Sequence, residues 1–424
     1  MKTDMKALDL ITDTVLAYRR KPQKTDAPVD DPPVADFTFY EFFAGGGMAR
    51  AGLGPNWRCL FANDFDFKKG VTYQDNWGDG TITVKDVGKV EVKEIPGTAD
   101  LAWASVPCQD LSLAGNGAGL KGDRSGTFWP FWRLMQQLKA KKRGPRMIVL
   151  ENVCGTLTSH GGQDFTAIAD ALADDGYRFG AVVIDAVEFV PQSRPRLFII
   201  AVTDSLEIPS ELLSDDATML WHSKALQVAQ MRLTGKARDN WLWWKLPSPP
   251  RRDNRFVDLV EENPKSVKWH EPDETAKLIG MMSSVNREKL DDAQKSGQLI
   301  VGTVYKRTRL DENGKKVQRA EIRFDDVAGC LRTSSGGSSR QLIVVVKGKT
   351  VRSRLLSSRE AARLMGLPEQ YKLPKKYNEA YHLTGDGVAV PVVRYIAEKL
   401  LEPTLDNNPL KVSDVSRRSM RKEH

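Results

Sequence analysis

Two residues stand where apolar runs end and a side chain can be presented to a ligand. Cys108 follows L-A-W-A-S-V-P, and Glu151 lies near the end of M-I-V-L-E-N-V. A thiolate can add to an electrophilic ring carbon, and a carboxylic acid nearby can protonate the ring as the adduct forms. Pro107 fixes the backbone directly before the thiol, removing freedom that a nucleophile would otherwise have to lose. The stretch L-A-G-N-G-A-G-L-K-G that follows is glycine-rich enough to open and close over a substrate. Spacing alone leaves an inert structural thiol as the alternative. The neighbouring Cys154 has nothing around it in sequence that argues for chemistry.

A second constellation is F-Y-E-F-F-A-G-G-G-M-A-R. Gly45, Gly46 and Gly47 let the chain turn tightly and approach a ligand closely. Nineteen residues after Gly45 comes Asp64, at the end of the next apolar run. A carboxylate there can accept from ribose hydroxyls, and Phe65 beside it can stack on adenine. Arg50 holds the place of the third glycine of a dinucleotide fingerprint, so the pattern admits a nucleoside ligand without a pyrophosphate. A turn that merely packs helix on strand is the alternative. A third cluster is V-P-Q-S-R-P-R-L-F-I-I, in which Arg194 and Arg196 alternate. On a strand they share one side and point at one site, suiting a phosphate or a base carbonyl; structural ion pairing is the alternative.

The elements that must position these residues follow a rhythm from Phe37 to about Thr203. Strand-like runs (F-T-F-Y-E-F-F, L-F-A-N-D-F-D, L-A-W-A-S-V-P, M-I-V-L-E-N-V, F-G-A-V-V-I-D-A, R-L-F-I-I-A-V) alternate with helix-like ones (A-R-A-G-L, F-W-P-F-W-R-L-M-Q-Q-L-K, D-F-T-A-I-A-D-A-L-A-D-D-G). Strands buried on both faces and separated by helices predict an α/β fold, a doubly wound, mostly parallel sheet. Ligands of such sheets sit at the carboxyl ends of the strands. The predicted organisation is a polar leader over 1–36 and a catalytic and cofactor-binding domain over 37–204. A second, smaller domain spans 205–348, and 349–401 returns to the first domain through the amphipathic P-V-V-R-Y-I-A-E-K-L-L. A basic tail, expected to be disordered, occupies 402–424. The smaller domain holds one hairpin signal, V-G-T-V-Y-K-R-T-R-L, the turn D-E-N-G, then K-K-V-Q-R-A-E-I-R-F.

With 424 residues, 41% of them hydrophobic, the chain can build sizeable cores. It has no run of about 18 apolar residues and no signal-peptide core, so a cytoplasmic, nucleoid-associated protein without a membrane segment is expected. Its four scattered cysteines form no C-x-x-C pair, which argues against a zinc site or disulfide framework. The net charge of +8 predicts a polyanionic partner. Much of the excess falls between His222 and Arg319, where twenty Lys/Arg face thirteen Asp/Glu and where Trp241, Trp243, Trp244 and Trp269 also lie. Such a mixture suits phosphate contacts and base stacking, with core tryptophans under a solvated charged face as the alternative.

Together these residues resemble the DNA (cytosine-5)-methyltransferase family over nearly everything from Phe37 to Leu400. F-F-A-G-G-G, N-D-F-D and K-D-V look like its cofactor motifs. V-P-C-Q is similar to its nucleophile motif, E-N-V to its acid motif and Q-S-R-P-R to its arginine motif. C-L-R-T-S-S-G-G-S-S-R and G-D-G-V-A-V-P-V complete the order. The resemblance implies a Rossmann-like fold with a target-recognition domain, and S-adenosylmethionine as cofactor, yielding S-adenosylhomocysteine, with no metal. Phe43 and Gly45 to Gly47 would wrap the methionine end, Asp64 the ribose, Phe65 the adenine ring and Asp86 its amino group, with Pro107 and Val388 completing the cofactor site. Cys108 would be the nucleophile, Glu151 the acid at cytosine N3, and Arg196 a contact to the flipped base supported by Arg194. Double-stranded DNA is the implied partner, met by Gln109, Ser112, Lys121 and Arg124 and, in the variable region, by Arg251, Arg252, Lys306, Arg307 and Arg309. A monomer is expected, and a cognate restriction endonuclease would fit this setting. Three positions depart from the family's habit: Met48 for a glycine, Asp386 for an asparagine, and Asp64 for a glutamate. The competing expectations are a tRNA cytosine-5 methyltransferase, which generally has a smaller variable region, a nicotinamide-dependent oxidoreductase, and a catalytically dead DNA-binding protein.

Overall fold

The computed structural model describes residues 35–78, 80–107, 127–331 and 340–408. They form two compact units. The larger comprises 35–185, 195–250 and 388–408, the smaller 186–194 and 251–387. No helix among the described residues is long and apolar enough to cross a membrane.

The larger unit is built on seven strands: β1 (Phe37–Phe42), β2 (Trp57–Asp64), β3 (Ile82–Val84), β4 (Leu101–Ser105), β5 (Met147–Val153), β6 (Tyr177–Asp185) and β7 (Pro195–Thr203). Their order is β3-β2-β1-β4-β5-β7-β6. All run parallel except β7, which is antiparallel to both β5 and β6. Every residue of β1 is buried, as are Leu101–Ala104 of β4 and Met147–Asn152 of β5. That is why these strands read as unbroken apolar runs rather than alternating ones. The crossover helices α1 (Met48–Leu53), α2 (Phe67–Trp77), α3 (Phe128–Ala140) and α4 (Gln163–Asp174) follow β1, β2, β4 and β5. Under α3, Phe131 meets Phe42 edge-on at 5.0 Å between centroids, and Phe128 stacks on Trp132 at 5.9 Å. The doubly wound sheet and the three helices expected from sequence are all present. Helix α2 and the edge strand β3 complete them. The sequence hides α2 because its buried residues are Gly70, Thr72 and Tyr73, while Phe67 and Val71 are exposed, so no apolar stripe marks it.

Residues 205–250 do not form part of a separate domain with the hairpin, as the sequence had suggested. Leu226, Leu233 and Ala237 join the core of the sheet unit. Trp241 lies edge-on to Phe179 at 5.5 Å, and the Trp244 indole donates to the Ile200 carbonyl at 3.3 Å. The backbone of 242–244 comes so close to β6 that a Cβ on Gly180 would lie 2.1 Å from the Leu242 carbonyl oxygen. Trp221, fully buried, donates to Leu246 O at 2.9 Å. Trp221 and Trp244 are thus buried in the sheet unit, and the half-buried Trp241 packs against its core. The short antiparallel pair β8 (Leu213–Ser214) and β9 (Trp243–Trp244) belongs to the same layer.

The smaller unit holds a four-stranded antiparallel sheet of β10 (Leu299–Leu310), β11 (Lys316–Arg323), β12 (Leu342–Lys347) and β13 (Thr350–Leu355), in the order β11-β10-β12-β13. β10 and β11 are the expected hairpin, turned at Asp311–Gly314. Leu278, Met282 and Leu290, from the helices Pro272–Gly280 and Ser284–Lys295 and the turn between them, pack on Val304, Ile322 and Val344. Residues 349–387 therefore stay with this unit, and only from Val388 does the chain rejoin the sheet unit. A buried ion pair holds the smaller unit at β13. Both terminal guanidinium nitrogens of Arg354, Nη1 and Nη2, donate to Glu360, at 2.7 and 2.6 Å, with the two side chains 0% and 1% exposed. Trp269 lies against the same corner, its ring 4.0 Å from the Arg352 guanidinium and 4.7 Å from that of Arg354. This tryptophan also has a structural partner.

Candidate active site

The strand register assembles the site. Asn63, Phe42, Ala104 and Leu150 form one row across β2, β1, β4 and β5. One residue further along each parallel strand stand Asp64, Phe43, Ser105 and Glu151, so the acid and cofactor motifs reach the same carboxyl edge. Because β7 runs the other way, it is its amino end that lies here, with Arg196 opposite Val153. The geometry thus brings Arg196 to Glu151: Nε lies 3.2 Å from Oε1, and the side chains are 14% and 8% exposed. Ser105, three residues before Cys108 in sequence, is the register partner of Glu151. The amide of Asn152 donates to the Val106 carbonyl at 3.0 Å and so ties the V-P segment to β5. Sequence reasoning gave Asn152 no role. Its place in E-N-V was the only signal. Cys108 itself, with Gln109, Ser112, Lys121 and Arg124, lies outside the described residues; Pro107, half-buried, is the last one described before them.

Arg194 and Arg196 do not share a strand face. β7 begins at Pro195, so Arg194 precedes it and strand alternation does not apply. Arg194 is buried in the smaller unit, where it donates to the carbonyls of Leu331, Gly385 and Gly387 at 3.2, 2.8 and 2.6 Å. Gln192, fully buried, accepts from Leu331 N–H and donates to Leu364 O. The first half of Q-S-R-P-R therefore braces the smaller unit, and the second half serves the sheet edge.

The glycine loop turns through three left-handed residues, Phe43 (φ 55°), Gly45 (φ 55°) and Gly47 (φ 78°). Phe43 is the costly one, since a side chain in this region is strained by about 1–2 kcal/mol. Gly47 is required sterically: a Cβ there would lie 2.2 Å from the Trp77 indole nitrogen. The buried carboxylate of Asp64 accepts from Gly45 N–H and Asp66 N–H, both at 2.8 Å. Desolvation raises its pKa, and these backbone donors work against that. Beside it Phe65 is 71% exposed, an aromatic face left open next to a carboxylate. Asp86 is exposed and caps its turn by accepting from Gly88 N–H at 2.7 Å. Val388 is buried in the sheet unit. A left-handed glycine loop, a carboxylate and an open aromatic ring suit a nucleoside with a charged tail, so the residues present fit S-adenosylmethionine. Cys154 neighbours the pair, but burial raises its thiol pKa against the pull of Arg196. A thiol so disfavoured as thiolate is a poor nucleophile.

On the hairpin, Arg307 and Arg309 lie on one face and Lys306 on the other. Both arginines pair with Glu321, at 3.3 and 2.6 Å, and Arg307 sits directly across from Arg319. Arg251 is exposed; Arg252 is 3.6 Å from Asp326.

An open sheet with one antiparallel strand, a glycine loop after β1 and an acid at the end of β2 defines a Rossmann-like, S-adenosylmethionine-dependent methyltransferase fold, carrying here a smaller second unit. Residues 37–402 match the family model for C-5 cytosine-specific DNA methylases. The chain belongs to that family of enzymes, which methylate cytosine at C5 using S-adenosylmethionine. It is similar to the Type II methyltransferase M.HpaII of Haemophilus parainfluenzae, with 24% identity across 93% of this chain and 98% of that one. It is likewise similar to the Type II methyltransferase M.HhaI of Haemophilus parahaemolyticus, with 25% identity across 87% and 95%. Among solved structures, a mutant DNMT2 of Spodoptera frugiperda has the same fold, with a TM-score of 0.56 and 14% identity over 85% of this chain and 98% of that one. The S. pombe Dnmt2 methyltransferase does too, with a TM-score of 0.51 and 17% identity over 87% and 99%.

Proposed function

We propose that this enzyme methylates C5 of a cytosine flipped out of a specific double-stranded DNA sequence, through a covalent adduct between Cys108 and C6. The observation that carries the reading is the Glu151–Arg196 pair at the carboxyl edge, in register with the strand that leads to Pro107 and Cys108. Cytosine C5 is a weak nucleophile. Addition of the Cys108 thiolate to C6 makes C5 enamine-like, while Glu151 gives a proton or a hydrogen bond to N3 and offsets the developing negative charge. Arg196 holds the Glu151 carboxyl in place and offers further donors to the base. Phe43, Gly45 to Gly47, Asp64, Phe65 and Asp86 would hold S-adenosylmethionine, which supplies an electrophilic methyl group when bound. After C5 has been alkylated, it loses its proton to a base, and the electron pair left behind expels the Cys108 thiolate from C6. A stacked C6 is out of reach, so the base must leave the helix at a cost of a few kcal/mol.

Double-stranded DNA is the polyanion that the net charge calls for, with Arg251, Arg252, Lys306, Arg307, Arg309 and the basic residues after Cys108 as contacts. The likeness to Type II methyltransferases supports a place in restriction–modification or in epigenetic marking of DNA. The smaller unit is the natural seat of target recognition, and its hairpin the first place to look for base contacts.

The test is trapping. Duplex oligonucleotides bearing 5-fluorocytosine, made at the sites that bisulfite sequencing finds methylated in an expressing host, are incubated with enzyme and S-adenosylmethionine. A stable adduct whose peptide maps to Cys108 is expected. Absence of any adduct, an adduct on another residue, or trapping on tRNA in preference to duplex DNA would overturn the proposal.

A further inference from the structure

The glycine loop is backed by five side chains that no step above uses. Arg50, which stands where a dinucleotide fingerprint would have its third glycine, lies at their centre. Its guanidinium sits 4.7 Å from the centroid of the Trp77 ring and donates to Tyr73 Oη and Thr81 Oγ1, each at 3.2 Å. Its backbone N–H donates to Glu41 Oε1 at 3.2 Å, and the Tyr73 hydroxyl donates to Glu41 Oε2 at 3.3 Å. Glu41 is fully buried on β1, two residues before Phe43. Gly47, the N-cap of α1, has no side chain to cap the helix, and Glu41 supplies the missing acceptor from the neighbouring strand.

Trp77 carries this support to the loop. Its indole N–H donates to the Gly46 carbonyl at 3.3 Å, and its edge fills the space that a side chain on Gly47 would need. The backbone at Gly46 and Gly47 is thus moulded on the N–H edge of an indole against which the planar cation of Arg50 and the ring of Tyr73 also lie. A guanidinium over an indole is a favourable pair, and here one terminal nitrogen, Nη1, donates to both hydroxyls while the planar cation lies over the ring. We propose that Arg50 is a positioning residue for the cofactor loop, acting through Trp77. The inference rests on the cofactor reading above and deepens it.

The test separates cofactor binding from turnover. Arg50→Lys keeps the charge and loses the planar stack; Trp77→Phe keeps a ring and loses the N–H. Binding of S-adenosylhomocysteine by calorimetry is expected to weaken about tenfold in either variant, the scale of one lost cation–π or hydrogen-bond contact. The KM for S-adenosylmethionine should rise in parallel, with kcat at saturating cofactor within about twofold of the parent, as for lost uniform binding. In the double variant the two losses should fall short of additive, since both remove the same support. Parent-like binding of S-adenosylhomocysteine by both variants, even with a lowered Tm, would reduce Arg50 to a packing residue and overturn the proposal. So would full additivity, or an effect on kcat alone. Failure of the parent enzyme itself to bind S-adenosylhomocysteine is a different result, and it overturns the cofactor reading together with this one.

Discussion

Replacing Arg196 by Met removes the guanidinium while keeping an unbranched chain in its place. In the parent, Arg196 Nε and Glu151 Oε1 are 3.2 Å apart, and both side chains are largely withdrawn from water. A hydrogen bond to a charged group in such surroundings contributes about 1.5–3 kcal/mol. If that energy is used to hold Glu151 toward the base, losing it slows the chemical step about 10- to 150-fold. The assay is single-turnover methyl transfer to the target duplex, with enzyme and labelled S-adenosylmethionine in excess, so that product release does not mask the step. Arg196→Lys restores the charge without the fork and should fall between parent and Met variant. Binding of S-adenosylhomocysteine should stay within about twofold in both, because the cofactor loop lies on β1 and β2 and not on β7. A single-turnover rate within threefold of the parent in Arg196→Met would refute the reasoning, since the pair would then be structural only.

Further outcomes follow from the same geometry. Glu151→Gln keeps the shape but not the acid, and its single-turnover rate should drop by about two to four orders of magnitude, the usual scale of acid–base catalysis; a near-parental rate would remove Glu151 from the mechanism. Glu360→Gln leaves Arg354 buried without its carboxylate and should cost about 3–5 kcal/mol, read as a lowered urea midpoint; an unchanged midpoint would show that the pair contributes nothing. Burial raises the Glu41 pKa to about 7, against the pull of the Arg50 charge and backbone N–H and of the Tyr73 hydroxyl, with Asp64 adding to the rise. A raised carboxyl pKa favours the protonated folded state, so its contribution is full below the unfolded value near 4.5 and is lost as pH climbs through 7. Urea denaturation of Glu41→Gln from pH 5 to 8 should therefore show a shallower fall in stability than the parent, and parallel curves would contradict the assignment.

The strands and the order of the motifs were legible because a doubly buried parallel sheet writes each strand as an apolar run and ends it at the ligand edge. Asp64 and Glu151 could be placed from those ends alone, whereas Phe43 came only with the family resemblance. Arg194 could not, since whether a residue lies inside or just before a strand is a matter of one position, and Pro195 decides it. Trp221, Trp241 and Trp244 misled for a different reason. Basic neighbours in sequence say nothing about which side of a ring faces solvent, and here the rings face Phe179, Ile200 and Leu246. Asn152 and Trp77 were silent because their work is done on backbone carbonyls far away in sequence, which leaves no local pattern to read. Arg50 did leave a trace, as a residue standing where a glycine was looked for.

The path of the chain through Q-S-R-P-R has a practical corollary for anyone exchanging specificity between relatives. Transplanting residues 205–348 as a cassette would strip the sheet of Trp221, Trp241 and Trp244 and part Trp269 from Arg352 and Arg354. A graft with intact hydrophobic interiors on both sides would instead take 186–194 together with 251–387, and its splice points fall after Asp185, Arg194, Pro250 and Gly387.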